Sequence, residues 1–581
     1  MKTYKYIIFA SFIAFAGCNK IIDLYPESNL NTGTYYSNYN EVNTALSGCY
    51  KGMQVTLNEE WSLTELRSDN SIQGVAASQS TVNRDLSDLD MFMLNTSHQG
   101  NFNYWASVYA NIRNINLVLN ALQVNYSEST GTIAYDNLTI PVTEADRKLL
   151  AAQAQFLRAY HYFNLVRLYG GAFLIHEPTD PEAAKSINRT TVAEMYKLIE
   201  ADLLSAAQYG NTAKFTSIAT DDFGKANSWS AKALLAKVYL TQGKKTEAIT
   251  LLQDVISNSG YSLQSTYANV FSINNEMNSE ILFAIRFKGG GVGVGSPLPN
   301  FFAPLQSGSA VVNGDGKGLN YPTTSVINSY LKLTFANSTT LSGSTTITLP
   351  VSPSTDSISV GMYVTGTQIP NNATVTAVTG NVITISAAAT ATSAIATLTI
   401  GDIRRTNSIG LYAGVKYYPI KLISNPTIAS DAENDWIVIR YADVLLMMAE
   451  AQGNGTTAMG YINQIRTRAK LKTILPANVT TTAQFETILS NERRYELAFE
   501  NQRYFDLLRY NVTFTTINAT QTLKDHITAE FPFHYSSYPA PILTAAQIQA
   551  NITNDRLLLP IPQREIDNNT RIVIANSSKR N

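Results

Sequence analysis

The stretch from Ser228 to Asn258 limits what this chain can fold into more than any other. Ala231, Leu234, Leu235, Val238 and Tyr239 recur at the three- and four-residue spacing of one helix face. Gln242-Gly243 interrupts them, and Ala248, Leu251, Leu252 and Val255 mark a second face. This is a helix–turn–helix. Small Ala residues at close contacts, with a large aromatic near the helix end, are the device of tetratricopeptide-type pairs. Ala442 to Gln452 followed by Ala458 to Leu471 repeats the layout, and so does Phe485 to Asn501.

Further helical stripes stand upstream. Val42, Leu46 and Tyr50 repeat at four-residue spacing. Trp105, Tyr109, Ile112, Ile115, Val118 and Leu119 form a second stripe, and Phe156, Tyr160, Phe163, Leu165 and Leu168 a third. The third stops at Gly170-Gly171, as a helix C-terminus should. Val192, Met195, Leu198, Ile199 and Leu203 begin another. The fold class predicted is mostly α: a scaffold of tetratricopeptide-like helix pairs without strict sequence repeats. Long loops are predicted at about 67–100, 125–142 and 287–323. Loops of that length are functional or disordered, and in a binding protein they are the place for ligand contacts.

One segment breaks the pattern. From Leu333 to Gly401 the only charged residue is Asp356. Thr346-Ile-Thr-Leu349, Met362-Tyr-Val-Thr365, Thr374-Val-Thr-Ala-Val378, Val382-Ile-Thr-Ile385 and Ala396-Thr-Leu-Thr-Ile400 alternate with period two. Gly366, Pro370-Asn-Asn and Thr379-Gly-Asn separate them. Short strands between turn signals predict a small inserted all-β module, and the alternation favours it over a disordered low-complexity loop. Charged sequence resumes at Asp402-Ile-Arg-Arg405.

The N-terminus reads as an export signal. Lys2 and Lys5 precede an apolar run from Tyr6 to Phe15, then Ala16, Gly17 and Cys18. The run is too short for a bilayer, which needs roughly 20 apolar residues, and the arrangement is that of a cleaved secretory signal. Cys18 is the predicted lipidation site, holding the mature chain to a membrane. Only Cys49 then remains, so no internal disulfide can form. Residues 19–40 are polar and turn-rich, and read as a tether.

Composition excludes several classes. A net charge of −1 gives no basic face for nucleic acid. Charged residues make up 15% of the chain while Tyr numbers 32, which suits contact with neutral polar ligands, since Tyr offers a flat apolar ring and a hydroxyl. No two of the five His have metal-ligand spacing. Gly289 to Gly295 lacks the Lys-Ser/Thr of a phosphate loop, and Pro297 and Pro299 block a helix start. Glu492, Glu496 and Glu500 lie at four-residue spacing beside Arg493, Arg494 and Arg503. Structural ion pairs explain them better than glycosidase carboxylates, which must flank a sugar. The same holds for Asp443, Glu450 and Asp506. No catalytic residue, metal or cofactor is predicted.

Several blocks in order resemble the SusD/RagB family of nutrient-binding outer-membrane lipoproteins of Bacteroidetes. They begin with Cys18-Asn-Lys-Ile-Ile-Asp23-Leu-Tyr-Pro26 and Asn40-Glu-Val-Asn-Thr-Ala-Leu-Ser-Gly-Cys-Tyr50. Ala154-Gln-Phe-Leu-Arg-Ala-Tyr-His-Tyr-Phe163 follows. The C-terminal third is the most specific, with Arg440-Tyr-Ala-Asp443, Ile462-Asn-Gln-Ile-Arg466, Glu492-Arg-Arg-Tyr-Glu496, Arg503-Tyr-Phe-Asp506-Leu-Leu-Arg509 and Leu559-Pro-Ile-Pro562. Gln153 stands where the family usually has Glu, the end lacks the usual Gln-Asn-Pro, and the β insertion is not a general family feature.

The resemblance implies a non-enzymatic, lipid-anchored, cell-surface protein of the outer membrane. It would capture oligosaccharides and deliver them to a SusC-like TonB-dependent transporter. The alternatives are a peptide-binding member of the family, or an adhesion or scaffold protein using the β insertion. The organisation implied is a signal peptide at 1–17, a lipidated tether at 18–40, a helical domain at 41–332 and 402–581, and the β module at 333–401. Neutral sugars are held by aromatic stacking and by hydrogen bonds from polar side chains. The loops offering both are 67–105, just after Trp61, and 296–323. Their candidates are Arg67, Asp69, Asn70, Arg84 and Phe92, then Phe301, Phe302, Asn313, Asp315 and Tyr321. Asp69, Asn70, Phe301, Phe302 and Tyr321 are the predicted ligand-binding residues.

Overall fold

Eleven long helices carry most of the described body, and seven of them begin on a side chain that caps the first turn. The computed structural model describes residues 35–74, 81–538, 542–569 and 571–572. The signal, Cys18 and most of the tether lie outside the described residues. The helices are α1 (Tyr39–Thr64), α2 (Gln99–Ala121), α3 (Glu144–Tyr169), α4 (Val192–Tyr209), α5 (Ser228–Thr241) and α6 (Lys245–Asn258). After the β region come α7 (Tyr441–Gln452), α8 (Thr456–Arg468), α9 (Thr482–Glu496), α10 (Arg503–Thr513) and α11 (Ala519–Glu530). Thr191 with Glu194, Asn227 with Ser230 and Thr481 with Gln484 form reciprocal capping boxes. Gly243, at φ +77°, makes the turn between α5 and α6.

The packing runs from neighbour to neighbour: α1 on α2, α2 on α3, α3 on α4, α4 on α5, α5 on α6. Then α6 packs on α7 and α7 on α8, so the C-terminal helices continue the row across a long excursion in sequence. One apolar core runs through them, from Val42 and Trp61 to Leu445 and Ile527. Ile281–Ile285 and Trp436–Arg440, buried along their whole length, pair antiparallel within it.

The long loops are less bare than the sequence suggests. Thr81–Asp90 is a helix, with Leu86 and Leu89 turned into the core. Val124–Ser127 and Thr132–Tyr135 pair as a hairpin. Ser71–Gln73 pairs with Asn320–Pro322, tying the first loop region to the third. Helix α9 also ends earlier than expected. It stops at Glu496, and Phe499 and Asn501 take left-handed backbone conformations in the turn that follows.

The charge-poor segment folds as six strands: β1 (Lys332–Thr340), β2 (Thr346–Thr348), β3 (Tyr363–Thr365), β4 (Val375–Thr379), β5 (Val382–Ile385) and β6 (Ser393–Gly401). Their order is β3-β6-β1-β2-β5-β4, all antiparallel. The two outer strands meet through the Tyr363–Thr374 bridge and the bonds Val364 N to Ala373 O (2.8 Å) and Val375 N to Met362 O (2.9 Å). The sheet therefore closes into a small barrel, which removes exposed edges. Phe335, Ile347, Val364, Ile383, Leu398 and Ile400 fill it.

Both ends of the barrel leave from one point on the body, where Asp402 N donates to Leu331 O at 3.0 Å. Ala469 and Leu471, beyond α8, join its apolar cluster. Gly361 (φ +95°) lies so close to Lys470 that a Cβ there would fall 2.5 Å from Lys470 Cγ. The module is thus seated on the body as well as tethered to it.

Candidate ligand-binding face

The carboxylates that could suggest hydrolytic chemistry are locked inside the body. Glu496 on α9 accepts from Arg440 NH1 at 2.7 Å, from Arg404 NH1 at 3.2 Å and from Arg468. Glu492, one turn earlier, takes Arg404 NH1 at 2.6 Å and Arg466 NH1 at 3.2 Å. Glu500 lies past the helix end, yet converges on the same group through Arg440 Nε (2.7 Å) and Lys421 Nζ (2.6 Å). Arg493 pairs with Asp443 and Asp506, and Arg509 with Glu450. Burial alone would raise the Glu496 carboxyl, but Arg468, Arg440 and Arg404 hold it well below the usual range. Such groups cannot hand protons to a substrate they do not touch. They fasten α7, α9, α10 and the strand before α7 together.

The predicted ligand residues divide in two. Asp69 is buried, and its carboxylate is clamped by Arg503 at 2.6 and 2.9 Å. Burial would raise its pKa, but Arg494 and Arg503 hold it far below the normal carboxylate range. Asn70 is fully buried and accepts from Arg494 Nε at 2.7 Å. Phe302 is buried edge-on against Trp61, with centroids 5.1 Å apart. Arg67 is buried too, against the rings of Phe92 and Tyr504. These residues fix the loop bases to the body. Phe301 and Tyr321, by contrast, are half-exposed. Lys317 Nζ lies 4.5 Å from the Phe301 ring centroid.

A hairpin that the sequence reading passed over completes this face. Ile409–Tyr412 pairs with Lys416–Pro419 around Ala413 (φ +51°) and Gly414 (φ +73°). Two left-handed residues in succession are what a tight type I′ turn needs. The hairpin packs on Asn320–Pro322 and reaches the 303–308 loop. There Lys416 Nζ donates to Leu305 O at 2.9 Å and Tyr412 OH to Gln306 O at 3.4 Å. Tyr412, Tyr417 and Tyr418 are all half-exposed, and Arg405 lies 5.2 Å from the Tyr417 ring. The available signal was Tyr412-Ala-Gly414 and Tyr417-Tyr418 flanking a turn.

The loops beneath the rings are pinned. Asn300 Nδ2 donates to the carbonyls of Asn313 (2.8 Å) and Asp315 (3.0 Å). Asn313 Nδ2 reaches Thr427 O at 2.7 Å. Asp315 Oδ1 accepts from the backbone of Gly308 and Gly316. The face is therefore a set of pre-positioned rings bordered by Lys317, Gln306 and Lys416. It can stack on the C–H faces of sugar rings and donate hydrogen bonds to their hydroxyls. Among the described residues no cluster of His, Cys, Asp and Glu could hold a metal ion, and no helix is long and apolar enough to cross a membrane.

Comparison with known proteins gives consistent matches. The SusD family profile matches residues 279–577, and a profile described as starch-binding associating with outer membrane matches residues 20–240. A SusD-like protein of Formosa agariphila is 23% identical over 548 residues, covering 88% of this chain and 89% of the relative. One from Bacteroides ovatus is 26% identical over 301 residues, about half of each chain. A laminarin-binding SusD-like protein of known structure superposes with a TM-score of 0.63 at 22% identity, covering 93% of this chain and 99% of its own. Surface glycan-binding protein A from Bacteroides thetaiotaomicron, solved with laminarihexaose, gives 0.61 at 17% identity, covering 91% and 97%. At such identities the structural likeness speaks for the fold.

Proposed function

The chain belongs to the SusD family, and on that footing we propose that it is a surface lipoprotein that captures oligosaccharides and passes them to a TonB-dependent transporter of the outer membrane. The ring face of Phe301, Tyr321 and Tyr412 is the observation that carries the reading. Half-buried, pre-positioned aromatic rings suit stacking on neutral sugars. Asp69, Asn70 and Phe302 act beneath that face, holding its loops in place. Lipid on Cys18 would hold the protein at the membrane. Each buried acyl CH₂ contributes roughly 0.8 kcal/mol, so several chains anchor where one does not.

Calorimetry against a panel of neutral glucans, other oligosaccharides and peptides tests the proposal. One glycan class should bind, without hydrolysis products. Tyr412→Ala and Phe301→Ala should each weaken it about fivefold, the loss of roughly 1 kcal/mol of ring contact, with unchanged melting for Tyr412→Ala and a lower melting temperature for Phe301→Ala, whose ring also packs against Trp61. Undiminished affinity in both variants would remove the face from the site. Peptide binding alone would move the chain to the peptide-capturing branch of the reading. Co-purification of the native lipoprotein with a TonB-dependent transporter tests the delivery step. Mass spectrometry of the mature N-terminus tests acylation of Cys18.

The barrel gives a second reading some support. Leu341, Val351, Val360 and Ile395 are exposed on it, and the remaining surface is rich in Thr and Ser. Because its two ends meet at Leu331 and Asp402, residues 335–400 can be replaced by a short link. Lost attachment to polymer or cells with retained glycan uptake would assign the barrel a separate adhesive role.

A further inference from the structure

A cavity of about 440 Å³ lies against the first half of α1, and none of the ring-face residues line it. That volume is within the range of small-molecule pockets. Leu46 and Met53 of α1 and Phe283 and Ile285 of the central strand are buried apolar residues lining it. Asn43, Ser47 and Lys51 also line it. They stand four residues apart, so they form one polar stripe along the helix beside the apolar floor.

Charge around the cavity is one-sided. Its charged lining residues are Lys51, Lys225, Arg286 and Lys288, and no carboxylate lines it. Carboxylates outside the wall answer three of the four. Lys225 pairs with Asp222 at 2.9 Å, Arg286 with Glu276 at 2.6 Å and with Asp435, and Lys288 with Glu433. Lys51 is exposed and has no carboxylate partner among the described residues. The combination is an apolar floor, a hydrogen-bonding stripe and one uncommitted ammonium at the rim.

We propose that this cavity binds a small amphiphilic carboxylate, with its apolar body against the half-buried Tyr50, Phe223 and Val294, which lie over the buried Leu46, Met53, Phe283 and Ile285, and its carboxylate on Lys51. An apolar body suits this floor better than a ring bearing hydroxyls on every side, because hydroxyls held against it away from the one polar stripe would be buried unpaired. The site shares no residue with the ring face, and neither reading depends on the other.

The test uses the intact mature protein with the anionic fluorophore 1-anilinonaphthalene-8-sulfonate as reporter, displaced by octanoate or by octanol. Octanoate should displace the dye at a lower concentration than octanol. Lys51→Ala should weaken octanoate about three- to fivefold, the range of a partly exposed ion pair, and leave octanol unchanged. Ser47→Trp places a ring at the rim from an exposed position and should abolish the displaceable signal with an unchanged melting curve. Glycan affinity should not move in either variant. Equal displacement by octanoate and octanol, or full octanoate affinity in Lys51→Ala, would overturn the proposal.

Discussion

The helical body and the barrel are built on opposite electrostatic plans. In the body, Arg158, Arg404, Arg440, Arg493 and Arg509 are fully or almost fully buried, each beside carboxylates. In the barrel, the interior is aliphatic with one Phe, and the single charge of residues 333–401, Asp356, is exposed. Buried ion pairs add little net stability over well-packed apolar groups, but one partner alone is very costly. Arg440 has to meet Glu280, Glu496 and Glu500 together, so three separate stretches of sequence, around 280, 440 and 496–500, must converge. An aliphatic barrel core makes no such demand on distant residues. This contrast accounts for how the module can sit in the chain without disturbing it: its ends meet, its edges are closed and its seat on the body at Ala469 to Leu471 is local.

The contrast breaks most visibly at Glu496. Glu496→Gln leaves Arg404, Arg440 and Arg468 short of a buried counter-charge. The expected loss is about 3–5 kcal/mol of unfolding free energy. All four Trp residues, at 61, 105, 229 and 436, lie in the body, so Trp fluorescence in urea reads that unit. A loss under about 1 kcal/mol would mean the network is dispensable. Leu398→Ala is the matching change in the barrel, where Leu398 is fully buried. It should cost about 3 kcal/mol, seen as faster hydrogen exchange across β1–β6, with the Trp transition in place. Coupled loss in both regions would show that the two unfold as one.

Acidity separates the regions by a smaller amount. Burial pushes Glu60, Glu65 and Asp435 up to about 7, against hydrogen bonds and nearby cations that lower them. A carboxyl whose folded pKa is raised binds its proton more tightly in the native state. Its stabilising contribution is complete below the unfolded value and is lost as pH rises through 7. Between about pH 6.5 and 8 the body should lose on the order of 1–3 kcal/mol. Burial holds His161 down to about 3, so it stays neutral across that window. Barrel exchange, corrected for intrinsic rate, should be flat over the same range. Glu60→Gln should reduce the slope of the body.

How much of this was legible follows the same division. Helix stripes and their caps are local signals, and α1 to α7 could be read from spacing alone. Most barrel strands were legible too, because period-two alternation needs no partner. Strand β1 was not. Asn337 takes φ +59°, and the register against β6 shifts near Ala396 and Leu398, so a bulge breaks the alternation. That Glu492 and Glu496 are in ion pairs could be read from the sequence, but not with whom: their partners are Arg404, Arg440, Arg466 and Arg468, while the neighbouring Arg493, Arg494 and Arg503 turn to Asp443, Asp506 and Asp69. Asp69 and Asn70 read as loop polar residues because nothing nearby announces their partners. Arg503 and Arg494 are 434 and 424 positions away. Phe301 reads the same way as Phe302, since the face of one short helix, Leu298–Phe302, decides which ring reaches solvent.

The smallest expected effect tests the barrel side of the comparison most directly. Asp356 lies in the turn-rich stretch between β2 and β3, exposed, with its backbone N–H bonded to Ser354 Oγ at 3.1 Å. No basic side chain pairs with it among the described residues. Asp356→Asn keeps the size and the hydrogen-bonding reach while removing the charge. If the barrel holds by apolar packing and closure alone, the change should fall within about 0.5 kcal/mol, and hydrogen exchange of β1–β6 should match that of the parent protein. Salt should be without effect as well, since no exposed pair is there to be screened. A loss above about 1 kcal/mol would place a charge interaction in the barrel after all. The two regions would then differ in the amount of electrostatic stitching and no longer in kind.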